Sequence, residues 1–209
     1  MKLIFLGPPG VGKGTHGDIV SKKLGVPKIS TGDIFREEIK TGSELGKKLK
    51  VILDAGNLVP DDITVKILKN RISKPDCKKG FILDGFPRTI FQAEELEKTV
   101  KIDKVVNFVL SKKSILERLG GRWTCRKCQD IYHEVHKKPK RLGICDKCGR
   151  ELYQREDQTT GAIEKRLEVY EKETKPLIDF YRKKGLLVDI DCEGNIEDVS
   201  KKVKKAIGI

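Results

Sequence analysis

Gly7-Pro8-Pro9-Gly10-Val11-Gly12-Lys13-Gly14-Thr15 is the stretch on which the reading of the whole chain turns. The apolar run before it, Leu3-Ile4-Phe5-Leu6, predicts a buried parallel strand, and the residues after it predict a helix over 13–24. Strand, glycine loop and helix together make a phosphate cradle. Glycines let backbone N–H groups turn inward, the helix N-terminus adds positive dipole, and Lys13 supplies a mobile cation. Gly7-x4-Gly12-Lys13 fits the P-loop pattern, with Gly14 in the place of the usual hydroxyl residue and Thr15 one position later. Residues 12–17 also match a dinucleotide-binding G-x-G-x-x-G, but that frame starts late and leaves Gly7 and Lys13 without a role.

The rest of the chain reads as strands alternating with helices. Residues 26–30 predict a second strand, 31–40 a helix, 43–55 an amphipathic segment and 60–72 another helix. Phe81-Ile82-Leu83-Asp84 ends a strand on an acid, which suits Mg²⁺ held through water beside the phosphate loop. A helix follows over 89–99, then a strand over 105–110 and a helix capped by Ser111. The last strand is expected at 186–190 and the last helix from Ile196. This order implies an α/β fold with a parallel sheet flanked by helices.

Between Gly121 and Gln158 the texture becomes polar and cysteine-bearing. Cys125-x2-Cys128 and Cys145-x2-Cys148, separated by sixteen residues, have the spacing of a four-thiolate structural zinc knuckle. His133 reads as a polar surface or hinge residue, Trp123 as packing, and Cys77 and Cys192 as small apolar residues. The chain has 209 residues, enough for one compact domain with insertions, and carries a net charge of +13, which suits polyanionic partners. The first apolar run is too short for a signal peptide and no stretch reaches membrane-span length, so a cytoplasmic protein in a reducing compartment is expected.

Taken together, the phosphate loop, Ile29-Ser30-Thr31-Gly32-Asp33 with Arg36, Asp84-Gly85-Phe86-Pro87-Arg88 with Gln92, Gly121-Arg122, the cysteine pairs, Tyr132-His133, Arg155 and Arg166 resemble the adenylate kinase family in its long form with a zinc-bearing lid. The resemblance runs over nearly the whole chain, and Gly14-Thr15 is usual in that family. It implies a core of 1–29, 60–121 and 159–209, an AMP-binding flap over 30–59 and a lid over 122–158. It further implies reversible Mg²⁺-dependent phosphoryl transfer from ATP to AMP, giving two ADP, by a monomer with no nucleic-acid or membrane partner.

By the same resemblance, ATP is held by Gly10, Val11, Gly12, Lys13, Gly14, Thr15, Arg118, Arg122, Ile131, Tyr132 and Asn195. AMP is held by Thr31, Arg36, Val59, Gly85, Arg88, Gln92, Arg155 and Arg166. Thr15 and Asp84 serve Mg²⁺, and Cys125, Cys128, Cys145 and Cys148 hold Zn²⁺. The catalytic set is Lys13, Arg88, Arg122, Arg155 and Arg166, which fits a reaction that asks for alignment and charge neutralisation. Gln92 suits adenine because an amide pairs with a purine edge. Two departures stand out: Gln158 follows Asp157 where the family has a second acid, and Gln129 follows Cys128 where a glycine is common. The alternatives are a zinc-knuckle P-loop NTPase that grips nucleic acid and a GTP:AMP phosphotransferase.

Overall fold

The computed structural model describes all 209 residues, apart from the side chain of Glu156. In order they form β1 (Lys2–Leu6), α1 (Lys13–Leu24), β2 (Lys28–Ser30), α2 (Thr31–Lys40), α3 (Glu44–Asp54), α4 (Asp61–Ile72), β3 (Phe81–Asp84), α5 (Ile90–Glu97), β4 (Lys104–Val109) and α6 (Lys112–Gly120). Then come β5 (Arg122–Cys125), β6 (Ile131–His133), β7 (Leu152–Tyr153), α7 (Thr160–Val169), α8 (Pro176–Lys183), β8 (Leu187–Asp191) and α9 (Ile196–Ile207).

The central sheet runs β2-β3-β1-β4-β8 with every pairing parallel. Period-2 alternation along β1 sends Leu3 and Phe5 to one face and Ile4 and Leu6 to the other. On the first face they pack with Ile82, Val106 and Phe108, and on the second with Leu83, Val105 and Leu177. Burial on both faces explains why the strands read as continuous apolar runs. The chain leaves β1 towards β2 and leaves β3 in the opposite sense towards β4. A crevice therefore opens at the carboxyl ends of β1 and β3, where the phosphate loop and Asp84 lie.

Helices begin where short polar side chains satisfy their first N–H groups: Ser30, Ser43, Thr89, Ser111, Thr159 and Asn195 each accept from the residue three further on. Helices α2 and α3 follow β2 and enclose a small core of their own, with Phe35, Leu49 and Val59. Arg122–Tyr153 holds a feature absent from the sequence reading, an antiparallel sheet of order β6-β5-β7. The helices over Thr160–Lys183, joined by a π-helical segment at Tyr170–Thr174, are likewise additional.

Candidate active site

The phosphate loop keeps its shape because glycine alone fits it. Gly7 has φ +133°, and a Cβ there would sit 2.5 Å from the Phe108 carbonyl oxygen of the neighbouring strand. Helix α1 starts at Gly12 in a left-handed conformation with no side-chain cap, which leaves its first N–H groups free for an anion. Lys13 Nζ donates to the carbonyls of Gly7 (2.7 Å) and Pro8 (2.8 Å). Burial pushes the Lys13 ammonium down to about 8; Asp84 partly opposes this, while Arg88, Arg166 and Arg122 add to it. It remains mostly charged at neutral pH.

Across the crevice, the turn after β3 presents Arg88. Gly85 has φ +80°, and a Cβ there would come within 3.0 Å of the Arg88 guanidinium and 3.1 Å of Thr31 Oγ1. Arg88 Nε and Thr31 Oγ1 both donate to the Gly85 carbonyl at 2.9 Å. The Arg88 backbone is fixed at both ends: its N–H donates to Gln92 Oε1 (2.8 Å) and its carbonyl accepts from Thr174 Oγ1 (3.0 Å).

The remaining cations come from α2, β5, the segment after β7, and α7. Arg36 pairs with Asp33, and its Nε is buried without a partner. Asp157 bridges two arginines, accepting from Arg155 Nε at 3.0 Å and Arg166 Nη1 at 3.1 Å. Burial alone would raise the Asp157 carboxyl, but Arg155, Arg166 and Arg36 outweigh it and hold it below the usual carboxylate range. Arg122 is pushed down to about 9 by burial, then by Arg155 and Arg166. Lys13, Arg36, Arg88, Arg122, Arg155 and Arg166 thus share one cleft of about 980 Å³; Asp33 and Asp84 stand among them, Asp18, Asp130 and Glu197 also lie on its wall, and Asp157 sits behind the arginines. The acids compensate this set of buried cations only in part, with Asp157 shared between two arginines, and the remaining excess favours a polyanion.

Most of the expected site residues meet on this wall: Gly10, Gly12, Gly14, Thr15, Arg118, Ile131, Tyr132 and Asn195 line it with the cations. Arg118 is not a surface ion pair. It donates to the carbonyls of Val11 (3.3 Å) and Cys192 (2.9 Å), tying the phosphate loop to the end of β8. Asn195 caps α9. Ile131 Cδ1 would lie 3.9 Å from a Cβ on Gly14, so β6 leans over the phosphate loop. Val11, Thr31, Val59 and Gln92 are buried behind the wall. Gln92 departs most from expectation, because its amide is engaged inside the protein by Arg88 N–H and, at 2.7 Å, by Asp61.

The sequence reading missed Lys28 and His16, both on the wall. Lys28 Nζ pairs with Asp18 at 2.7 Å and leans towards the Gly14 carbonyl at 3.4 Å. His16 is buried, with Nδ1 3.0 Å from Ser200 Oγ; burial, then Arg118, pushes it down to about 4 and keeps it neutral. A histidine inside a phosphate loop is a visible signal, whereas one lysine among many gives none.

The four knuckle cysteines converge as their spacing predicts. Their Sγ atoms lie within 4.8 Å of one another, with Cys125–Cys148 at 3.4 Å and Cys128–Cys145 at 3.5 Å. A tetrahedral Zn²⁺ with Zn–S of ~2.3 Å has S–S edges of about 3.8 Å, so the donor set fits a closed structural ion. Tyr132 Oη accepts from Asp146 N–H (2.7 Å) and lies 3.6 Å from Cys145 Sγ. His133 is no ligand: Nδ1 accepts from Val135 N–H, and Nε2 faces the Glu117 carbonyl at 3.3 Å, tying β6 to α6.

A P-loop on β1, an acid at the end of β3 and arginines converging from five segments of the chain define a phosphotransferase acting between two phosphate-bearing ligands. Residues 5–186 match the family model described as adenylate kinase. Among curated relatives, adenylate kinase of Caldicellulosiruptor saccharolyticus is 52% identical over 214 residues, covering all of both chains. That of Archaeoglobus fulgidus is 51% identical over 98% of this chain and 96% of its own. That of Treponema denticola is 52% identical over 95% of each. The chain belongs to the adenylate kinase family.

Proposed function

We propose that this chain catalyses reversible phosphoryl transfer from ATP to AMP, giving two ADP, with donor and acceptor on opposite walls of the arginine-lined cleft. The observation that carries this is the convergence of Lys13, Arg36, Arg88, Arg122, Arg155 and Arg166 between the phosphate loop and the Gly85 turn. The donor phosphates rest on the α1 N-terminus and Lys13, with Arg118, Arg122, Ile131, Tyr132 and Asn195 towards the donor nucleoside. The acceptor lies by Thr31, Arg36, Val59, Gly85 and Arg88, with Gln92 towards its base. Arg155 and Arg166 serve the moving group.

An AMP phosphate oxygen attacks the γ-phosphorus. One P–O bond forms as the bond to the bridging β,γ-oxygen breaks, and ADP departs from each side. No proton has to move, because the attacking oxygen is already anionic, so the protein's part is alignment and charge stabilisation. In the empty cleft the arginines raise one another's cost, and the incoming phosphates relieve it. The carboxylate of Asp84 and the hydroxyl of Thr15 offer the oxygen chemistry suited to Mg²⁺, which enters with the nucleotide and neutralises donor phosphate charge.

We further assign 30–59 as a flap over the acceptor, 122–158 as a lid over the donor and the remainder as the core. A lid that excludes water protects the phosphoryl group from hydrolysis. The thiolate cluster holds a structural Zn²⁺ remote from the reaction. A single chain lines both substrate walls, which supports a monomer as the working unit. No described helix is long and apolar enough to cross a membrane. The pairing of four cysteines as two Cys-x2-Cys motifs suited to a metal supports a reducing compartment and a cytoplasmic location.

A steady-state panel of nucleoside mono- and triphosphates tests the reading. The expected result is AMP as preferred acceptor, ATP as preferred donor, and an Arg88→Ala variant damaged in both kcat and AMP affinity. Equal use of GTP would assign the GTP:AMP reaction instead. Nucleic-acid binding without transfer would refute the kinase reading.

A further inference from the structure

We propose that Asp61 is a positioning residue that gives the acceptor site its preference for adenine, by fixing which end of the Gln92 amide donates. The inference rests on the proposed assignment of AMP as acceptor, with Gln92 facing its base. Asp61 opens α4 and reaches across to the start of α5. Its Oδ1 accepts from Gln92 Nε2 at 2.7 Å and its Oδ2 accepts from Thr89 Oγ1 at 2.9 Å. Gln92 Oε1 accepts from the Arg88 backbone N–H at 2.8 Å. Thr89 Oγ1 in turn accepts from the Gln92 backbone N–H at 3.2 Å, so the hydroxyl that caps α5 is itself oriented by Asp61.

A carboxylate only accepts and a backbone N–H only donates. Exchanging the two ends of the amide would set oxygen against the Asp61 carboxylate and N–H against the Arg88 N–H. Gln92 is 1% exposed and not on the wall of the ligand-free cleft, so water is not at hand to satisfy the mismatched groups, and a base meets the amide once the wall in front of it moves. The orientation of this amide is therefore dictated by the chemistry of its partners.

One Nε2 hydrogen and one Oε1 lone pair remain for a base. Along its Watson–Crick edge, adenine offers the N6 amino donor beside the N1 acceptor. Hypoxanthine and guanine offer the reverse, an O6 acceptor beside an N1–H donor. A base held in one pose and read by an amide that cannot flip is accepted as adenine and refused as the 6-oxopurine. Arg88 N–H fixes one end of this reader and Asp61 fixes the other. The acceptor arginine and the base reader are thus joined in one network, Asp61–Gln92–Arg88.

The test compares kcat/KM for AMP and IMP, which differ only on this edge, in the unaltered enzyme and in D61A, D61N and Q92L, with thermal melts to confirm folding. D61A frees the donor end and is expected to lower the AMP:IMP ratio about 10-fold or more, the scale of one unpaired buried polar group. D61N is expected to keep the ratio, because its Oδ1 still accepts from Gln92 while its amino group turns to Thr89 Oγ1. A merely structural Asp61 would depress AMP and IMP together and leave the ratio unmoved. An unchanged ratio in D61A, with the ratio lost in Q92L, overturns the proposal and spares the base-reading role of Gln92. An unchanged ratio in Q92L refutes that role and the proposal with it, while AMP phosphorylation by the unaltered enzyme keeps the kinase reading apart from both. Should D61A fail to fold, D61S, which cannot reach Gln92 but retains a hydroxyl at the start of α4, takes its place.

Discussion

The central sheet and the lid sheet occupy one chain but are held together by different forces. The central sheet is sandwiched between two apolar clusters, and Leu3, Ile4, Ile82, Leu83, Val105 and Val106 are wholly buried in it. The lid sheet has strands of two to four residues. Its cluster is Cys125, Tyr132, Cys145 and Leu152, with Trp123, Cys128 and Cys148 packed against them. Four of those seven side chains are the thiols, and the lid leaves Val135 and Leu142 70% and 94% exposed. The core is stabilised by burial and can afford a costly cation cluster at its edge. The lid lacks that reserve, and its four converging thiols offer the structural Zn²⁺ proposed above as the substitute.

The largest expected effect separates the two regions outright. Structural zinc in small peptides binds with about 10–16 kcal/mol of apparent free energy, enough to order a segment of this size. Chelation, or C128S, should therefore unfold the lid while the central sheet persists. Differential hydrogen exchange should show protection lost across 122–153 and retained in β1, β3 and β4. Metal analysis should give one Zn²⁺ per chain. Loss of protection in both regions together would mean that the core depends on the lid.

K13M should do the reverse. It removes the cation assigned above to the donor phosphates, and losses of ~10²–10³ in kcat accompany removal of one charge-stabilising group. The melting temperature should not fall, because the buried ammonium is itself a burden on the folded state. A folded K13M enzyme with near-normal kcat would sink the phosphate-loop assignment.

The same contrast explains what the sequence made legible. In the core, continuous apolar runs marked β1, β3 and β4, and N-cap residues marked the helix starts, because burial and capping leave their trace residue by residue. In the lid, two-to-four-residue strands are too short for a period to emerge, and only the cysteine spacing spoke. The helices over Thr160–Lys183 were missed for another reason. The π-helical Tyr170–Thr174 segment shifts the face on which apolar residues recur, so no single 3.6 period spans them. Within the site, the phosphate loop and the arginines were readable by motif and resemblance. Asp61 was not, because its role arises from α4 meeting α5, a contact across 31 residues to Gln92.

A pH profile sharpens the comparison on the core side. Lys13 is lowered to about 8 in the ligand-free fold from an ordinary value of 10.5. As pH rises through about 8, the empty enzyme loses the charge that attracts phosphate, so kcat/KM for the donor should fall by up to ~10-fold per pH unit. The stability effect has the opposite sign. Below about 8 both folded and unfolded chains carry the proton and the burial cost is paid in full. Between about 8 and 10.5 the unfolded chain binds more protons, so this group's penalty is relieved as pH rises. K13M should show neither limb, and an identical fall in K13M would assign the titration elsewhere.

The smallest effect lies in the lid, where the two halves of the knuckle form an internal control. Cys148 is followed by Gly149 at φ +69°, and Cys128 by Gln129 at φ +58°, the one non-glycine residue with positive φ among those described. Both turns close in the same way: Gln129 N–H donates to the Cys125 carbonyl at 3.1 Å, and Gly149 N–H to the Cys145 carbonyl at 2.8 Å. The left-handed conformation costs a residue with a Cβ ~1–2 kcal/mol that glycine does not pay. Gln129 recovers part of it, because Nε2 points to the carbonyls of Cys125 and Arg126 at 3.4 Å each, but its Oε1 is buried without a partner. Q129G should therefore tighten the first knuckle by about 1 kcal/mol, less what glycine loses in unfolded-chain entropy. The sign of the change is read as slower zinc release to a chelator, with kcat at mild temperature unmoved. Faster release would show that the side-chain contacts to the two carbonyls outweigh the backbone cost, and that Gln129 stabilises the turn it occupies.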